Sequence, residues 1–165
     1  MTELDDITAR AVDALAAALK SRGWTMCTAE SCTGGLIASA CTSLAGSSDW
    51  FERGVVTYSN RAKTELLGVA DSLIERHGAV SAEVACAMAD GALAHTPADA
   101  AVAVTGIAGP GGATPGKPVG TVWIAVATRA RSAAATHLQL DGDRATIRRD
   151  TVRHALARLH EAVRR

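Results

Sequence analysis

The chain has 165 residues, 48% of them hydrophobic, which is enough for one domain spanning residues 1–165 with a full core. Its 17 basic and 17 acidic residues balance, which argues against a polybasic surface and a nucleic-acid partner. No apolar stretch approaches the roughly 20 residues of a membrane span, and the acidic start (Glu3, Asp5, Asp6) is the wrong chemistry for a signal peptide, so a cytoplasmic protein with no membrane partner is expected.

Helical and strand patterns alternate along the chain. Thr2 can cap a first helix, with Ile7, Ala11, Leu15 and Leu19 every four residues and Gly23 ending it. Trp24–Ala29 reads as the first strand, Ser31 as the turn after it, and Gly34–Leu44 as the next helix. Gly46-Ser47-Ser48-Asp49 predicts a turn that caps a short helix around Trp50. A second strand follows over Gly54–Tyr58. Ser59-Asn60 then caps a helix over Arg61–Leu67 that stops at Gly68. Asp71 and Ser81 are candidate caps of two more helices, the second reaching about His95. Ala100–Thr105 is a third, buried strand running into the glycine-rich loop 106–112. Val119–Thr128 and Ala133–Leu140 predict an antiparallel pair. After the turn at Asp141-Gly142-Asp143, a last helix carries Ile147, Val152, Leu156, Leu159 and Val163 along one side.

This order predicts an α/β fold: a three-layer α/β/α sandwich on a mixed, mostly parallel sheet. In such sheets ligands sit beyond the C-terminal ends of strands. The three candidate ends carry Glu30-Ser31, Tyr58-Ser59-Asn60 and Thr105-Gly106, which gather in one crevice if the strands are parallel. Four cysteines (Cys27, Cys32, Cys41, Cys86) lack C-x-x-C spacing and read as buried thiols. The five histidines are scattered, so no metal site is expected. The arginines crowding the C-terminal end, Arg148, Arg149, Arg153, Arg158, Arg164 and Arg165, read as a solvated helix face and a terminus.

Thr28-Ala29-Glu30-Ser31-Cys32-Thr33-Gly34-Gly35 places a hydroxyl where a strand becomes a helix, with N–H groups and a helix dipole facing whatever Ser31 attacks. A serine nucleophile needs a base, and no histidine lies near the strand ends in sequence. Lys63, at about the third position of its helix, is the better candidate, because the dipole and partial burial both disfavour an ammonium there. Tyr58 can hydrogen-bond that amine or relay a proton. Thr33 can cap the helix and leave Ser31 free, while the rival nucleophile Cys32 should point into the core. The N–H groups around Thr33-Gly34 and Thr105-Gly106, with the Thr105 hydroxyl, are the supply of donors for an oxyanion. Lys117 and Arg144 can offer charge to a phosphate.

The segments TAESCTGGLIAS (28–39), AGSSDWFERGVVTYSNRAKTELLGV (45–69), HGAVS (77–81), TGIAGP (105–110), KPVGTVWIA (117–125) and GDRATIRR (142–149) together resemble the CinA C-terminal-domain family. The resemblance covers nearly the whole chain. It implies a nicotinamide-nucleotide amidase with no cofactor, acting through a serine amidohydrolase Ser/Lys pair in pyridine-nucleotide recycling. By motif, the nucleophile falls on Ser31 and the base on Lys63, with Tyr58 and Thr105 in support. Glu30, Thr33, Gly34, Gly35, Ser48, Asn60, Gly106, Gly109 and Arg144 are the expected substrate-binding set. Ala113 departs from the family, which usually has a glycine there. A homodimer is expected for an enzyme of this size. The competing readings are a non-enzymatic nucleotide-binding or protein-interaction module, and an amidase for another small anionic amide.

Overall fold

A computed structural model describes residues 4–165. The elements in order are α1 (Asp6–Arg22), β1 (Met26–Glu30), α2 (Leu36–Thr42), a 3₁₀ turn (Ser47–Asp49), β2 (Phe51–Val56), α3 (Asn60–Leu67), α4 (Asp71–His77), α5 (Ala82–Ala94), β3 (Ala100–Gly106), β4 (Thr121–Thr128), β5 (Arg131–Gln139) and α6 (Arg144–Arg164). Thr2, expected as a helix cap, lies outside the described residues. Asp5 does the capping, its carboxylate accepting from the Ile7 and Thr8 N–H groups. Among the described residues no helix is long and apolar enough to cross a membrane.

The sheet order is β2-β1-β3-β4-β5. β2, β1 and β3 run parallel, whereas β3-β4 and β4-β5 pair antiparallel. The expected mixed α/β/α sandwich is therefore the one formed, and the three parallel strands put their C-terminal ends side by side. Strand alternation sorts the core into two faces. On β3, Ala100, Val102 and Val104 join Leu15, Leu19, Leu156 and Leu159 of α1 and α6. Ala101 and Ala103 point the other way, to Val84, Met88 and Ala92 of α5. Cys27, Cys32 and Cys41 are buried in these clusters as expected, and Cys86 is half-buried.

The main departure is β2, expected over Gly54–Tyr58 and found at Phe51–Val56. The residues after Trp50 are not helical, because Phe51 already pairs with Met26 of β1. Gly54 then sits inside the strand for a steric reason: a Cβ there would lie 2.7 Å from Thr28 Oγ1 and 2.9 Å from Ala38 Cβ. Asp71 is the first residue of α4 and not its cap, which is Ala70. The Asp71 carboxylate accepts instead from the Thr64 hydroxyl at 2.8 Å.

Candidate active site

Ser31 follows the last residue of β1, and its N–H continues the parallel ladder by donating to Val104 O at 3.1 Å. Four turn residues, Cys32 to Gly35, then reverse the chain into α2. Gly34 and Gly35 make this tight reversal possible through φ values of 59° and 98°, in the left-handed region. The turn holds itself with the Gly34 N–H, which donates to Ser31 O at 3.1 Å.

The neighbouring strand end supplies the lysine. Ser59 caps α3, its Oγ accepting from the Ala62 N–H at 3.0 Å, so Asn60 is the first helical residue. Lys63 and Leu67, one helical turn apart, are the buried residues of α3. An inward position that would ordinarily hold an aliphatic side chain thus carries an amine. Lys63 is only 1% exposed. Its Nζ lies 3.1 Å from Ser31 Oγ and donates to the Thr57 carbonyl at 2.9 Å. None of the ion pairs among the described residues includes Lys63. Burial without a carboxylate partner holds its pKa below the ordinary lysine value.

A cavity of about 230 Å³ opens at this point, with Ser31, Lys63, Thr105 and Gly106 at its reactive side. Tyr58, Asn60 and Arg144 line it as well, and Cys32, Ala79, Val80 and Ala108 complete its wall. A wider groove of about 640 Å³ runs between α1 and α6, lined by Ala14, Ala17, Ala18 and the C-terminal residues of α6. It lies at the opposite end of the sheet from Ser31 and holds none of the site residues.

Several expected site residues hold the loops rather than line the cavity. Glu30 is 1% exposed, and its carboxylate faces α2. Oε2 accepts from Thr33 Oγ1 at 2.6 Å and from the Gly35 and Ile37 N–H groups at 3.0 and 3.1 Å. Oε1 accepts from Ala38 N–H at 2.9 Å and Thr28 Oγ1 at 3.2 Å. The Gly35, Ile37 and Ala38 N–H groups are therefore taken by an internal carboxylate, and the Gly34 N–H by Ser31 O. Glu30 and Thr33 spend their side chains within the turn, and Gly34 and Gly35 give it its positive φ angles.

Ser48 is in the 3₁₀ turn before β2, at the N-terminal end of the parallel strands and away from the cavity. Gly109 offers its carbonyl to Arg144 Nη1 at 3.0 Å and is not part of the cavity wall. Lys117 donates to His77 O at 2.8 Å and braces the 77–81 loop, where it is not a cavity residue. Tyr58 does not reach the amine; it is 59% exposed, and its hydroxyl accepts from Arg144 Nη2 at 3.1 Å. The Thr105 hydroxyl donates to Ala79 O at 2.8 Å, so it ties down the cavity wall instead of offering a free donor.

Two contributors were not foreseen. The Thr57 carbonyl that steadies Lys63 is backbone, and backbone leaves no mark in a sequence. Arg148 donates from Nε to Cys32 O at 3.1 Å and from Nη2 to Thr33 O at 3.0 Å, gripping the Ser31 turn. Its position four residues after Arg144, on the same helix face, was the available signal. Cys32 is a weak rival nucleophile: burial first, with help from the Glu30 charge, pushes its thiol up to about 11.

Glu30→Gln tests the reading of the buried carboxylate. An amide has the same shape, but one of its ends would turn N–H donors toward N–H or O–H donors whichever way it is oriented. The expected cost is about 2–4 kcal/mol of stability, from several charge-assisted bonds lost or opposed. A urea midpoint unchanged from wild type would return Glu30 to the substrate-binding set.

Fold and site together define an α/β/α protein with a serine and an uncompensated buried lysine in contact at the ends of parallel strands. The family model for the CinA C-terminal domain matches residues 8–163, and the chain belongs to that family. It is 54% identical over 134 residues to a nicotinamide-nucleotide amidohydrolase PncC of Enterobacter agglomerans, covering 81% of this chain and 82% of that one. It is 53% identical over 143 residues to the protein of that name in Escherichia coli, covering 86% of each. Among solved structures, the competence/damage inducible protein CihA of Agrobacterium tumefaciens superposes with a TM-score of 0.95 at 43% identity, with 100% of both chains covered.

Proposed function

We infer that the protein hydrolyses the carboxamide of nicotinamide mononucleotide to nicotinate mononucleotide and ammonia, returning pyridine nucleotide to NAD synthesis. The observation that carries this reading is the 3.1 Å contact between Lys63 Nζ and Ser31 Oγ in a buried setting. The names of its relatives supply the substrate. The cavity of about 230 Å³ is smaller than the roughly 300–1,000 Å³ of sites that enclose a whole drug-sized ligand. It suits the reacting ring of a nucleotide, with ribose and phosphate at the open side, where Tyr58 and Arg144 are exposed.

In the proposed mechanism Lys63 is a neutral amine. It donates one hydrogen to Thr57 O and turns its lone pair to the Ser31 hydroxyl, which donates to it. As Ser31 Oγ attacks the carboxamide carbon, its proton passes to Nζ and the carbonyl oxygen becomes an oxyanion. With the Gly35, Ile37 and Ala38 N–H groups occupied by Glu30, the Gly106 N–H is a donor for that oxyanion. Ile107 bonds to β4 through Thr121 O, so alternation along β3 turns Gly106 to the β1 side, just past the end of that strand. The ammonium at Lys63 then gives its proton to the departing nitrogen, the C–N bond breaks, and ammonia leaves an ester on Ser31. Water attacks the ester with Lys63 again taking the proton, and that proton returns to Ser31 Oγ as the acid is released.

Ammonia release measured across nicotinamide mononucleotide, nicotinamide and simple amides tests the assignment. The mononucleotide is expected to be preferred, and equal rates on simple amides would contradict it. Arg144→Ala is expected to raise KM roughly 10-fold with little change in kcat, the worth of one charge-assisted hydrogen bond to phosphate. A loss confined to kcat would move Arg144 from binding to chemistry.

A further inference from the structure

The first two turns of α6 carry two arginines on one face, and they do different things. Arg144 lines the cavity, with one nitrogen on Gly109 O and another on the Tyr58 hydroxyl. Arg148 is not part of the cavity wall and spends one edge of its guanidinium on two consecutive carbonyls, Cys32 O and Thr33 O. A flat fork with two parallel N–H donors matches that pair of acceptors, and a lysine ammonium does not. The fit is close, since a Cβ on Gly34 would lie 3.5 Å from Arg148 Nη2.

The turn that carries Ser31 is thereby gripped from both sides. Its Gly35 N–H, with the Ile37 and Ala38 N–H groups of α2, converges on the Glu30 carboxylate, and its Cys32 and Thr33 carbonyls converge on the Arg148 guanidinium. Neither grip touches Ser31 Oγ. Together they fix the backbone that sets the distance from Oγ to Lys63. We propose that Arg148 is a positioning residue for the reaction, holding the Ser31 turn so that the hydroxyl meets the amine, and that it takes no part in binding the phosphate.

This rests on Ser31 being the nucleophile, so the test reads Ser31 directly as well as turnover. Arg148→Ala and Arg148→Lys would be compared with wild type by steady-state kinetics on nicotinamide mononucleotide. Thermal unfolding would be followed, and so would the rate at which a fluorophosphonate labels Ser31, located by peptide mass. In Arg148→Ala, kcat is expected to fall about 100-fold, the scale set by a displacement of about 1 Å at a reacting centre. KM should stay within about twofold. Labelling of Ser31 should slow in parallel, Arg148→Lys should recover little, and added guanidinium ion at millimolar concentration should restore part of the turnover of Arg148→Ala.

Unchanged kcat and labelling would overturn the proposal, as would a rise confined to KM. A kcat loss that tracks a lowered melting temperature and resists guanidinium would reduce Arg148 to a packing contact and overturn it too. Should wild type label at Ser31 yet fail to release ammonia from the mononucleotide, the substrate assignment fails, while the labelling rates of the variants still decide the role of Arg148. A wild type that does neither overturns Ser31 as nucleophile and this inference with it.

Discussion

Ser31→Ala is expected to lower kcat for ammonia release at least about 10³-fold, because a covalent route has no substitute once its nucleophile is gone. The fold should survive the change. Ser31 is only half-buried, and its N–H, which ties β1 to β3 through Val104 O, is kept by alanine. Circular dichroism and the melting temperature should therefore stay near wild type, and nicotinamide mononucleotide should still bind. The double variant Ser31→Ala/Lys63→Met should be no slower than the slower single variant, since two residues acting as one unit do not contribute additively. Near-normal turnover by Ser31→Ala, or fully additive losses, would mean that the two side chains serve separate steps.

Lys63→Met carries the second large effect and separates activity from stability. Loss of the base should cost about 10²–10⁴-fold in kcat, the usual range for a positioned general base. The stability effect has a sign set by linkage. Burial depresses the lysine pKa in the folded protein, so between that value and the ordinary one the unfolded chain binds more protons than the native protein. Wild-type stability from this group therefore rises with pH across that window, up to the ordinary lysine value of about 10.4. Methionine has no proton to exchange. The stability of Lys63→Met relative to wild type should thus shrink as pH rises through that window toward the ordinary lysine value, as measured by urea midpoints at several pH values. A pH-independent difference would show that the amine is not perturbed by its burial. Over the same range kcat/KM of wild type should climb, because in the proposed mechanism the productive form is the neutral amine.

Much of the architecture could be read from the residues because local signals agreed with one another. The caps at Ser59 and Ser81, the glycine stops at Gly23 and Gly68, and the alternating apolar strands all recur in the structure. β2 was misplaced because it is an edge strand with a mostly open pattern, and its start is set by pairing with β1 and not by its own composition. At the site, Ser31 and Lys63 were legible because each stands out against its local pattern. One is a hydroxyl at a strand end, and the other a charge on the inner face of a short helix.

The second layer was not legible, for a physical reason. Glu30 looked like a ligand-binding carboxylate, and only the three-dimensional path of the turn shows five donors converging on it. The partners of Thr105 and Lys117 are backbone carbonyls on the 77–79 segment, far away in sequence and without any side-chain signature. Tyr58 was aimed wrongly by a single residue: the carbonyl of Thr57 turns inward to the amine while the phenol turns outward to Arg144.

The proposed mechanism needs the buried amine of Lys63 to be neutral at working pH, and its titration can be read directly. Lysine labelled with ¹³C at the ε carbon would be followed by NMR against pH, with the Lys63 signal assigned by its absence from Lys63→Met. Its midpoint is expected below that of the exposed lysines, at the pH where kcat/KM rises. A Lys63 signal that stays with the other lysines to the alkaline end, while activity is already full at neutral pH, would contradict it.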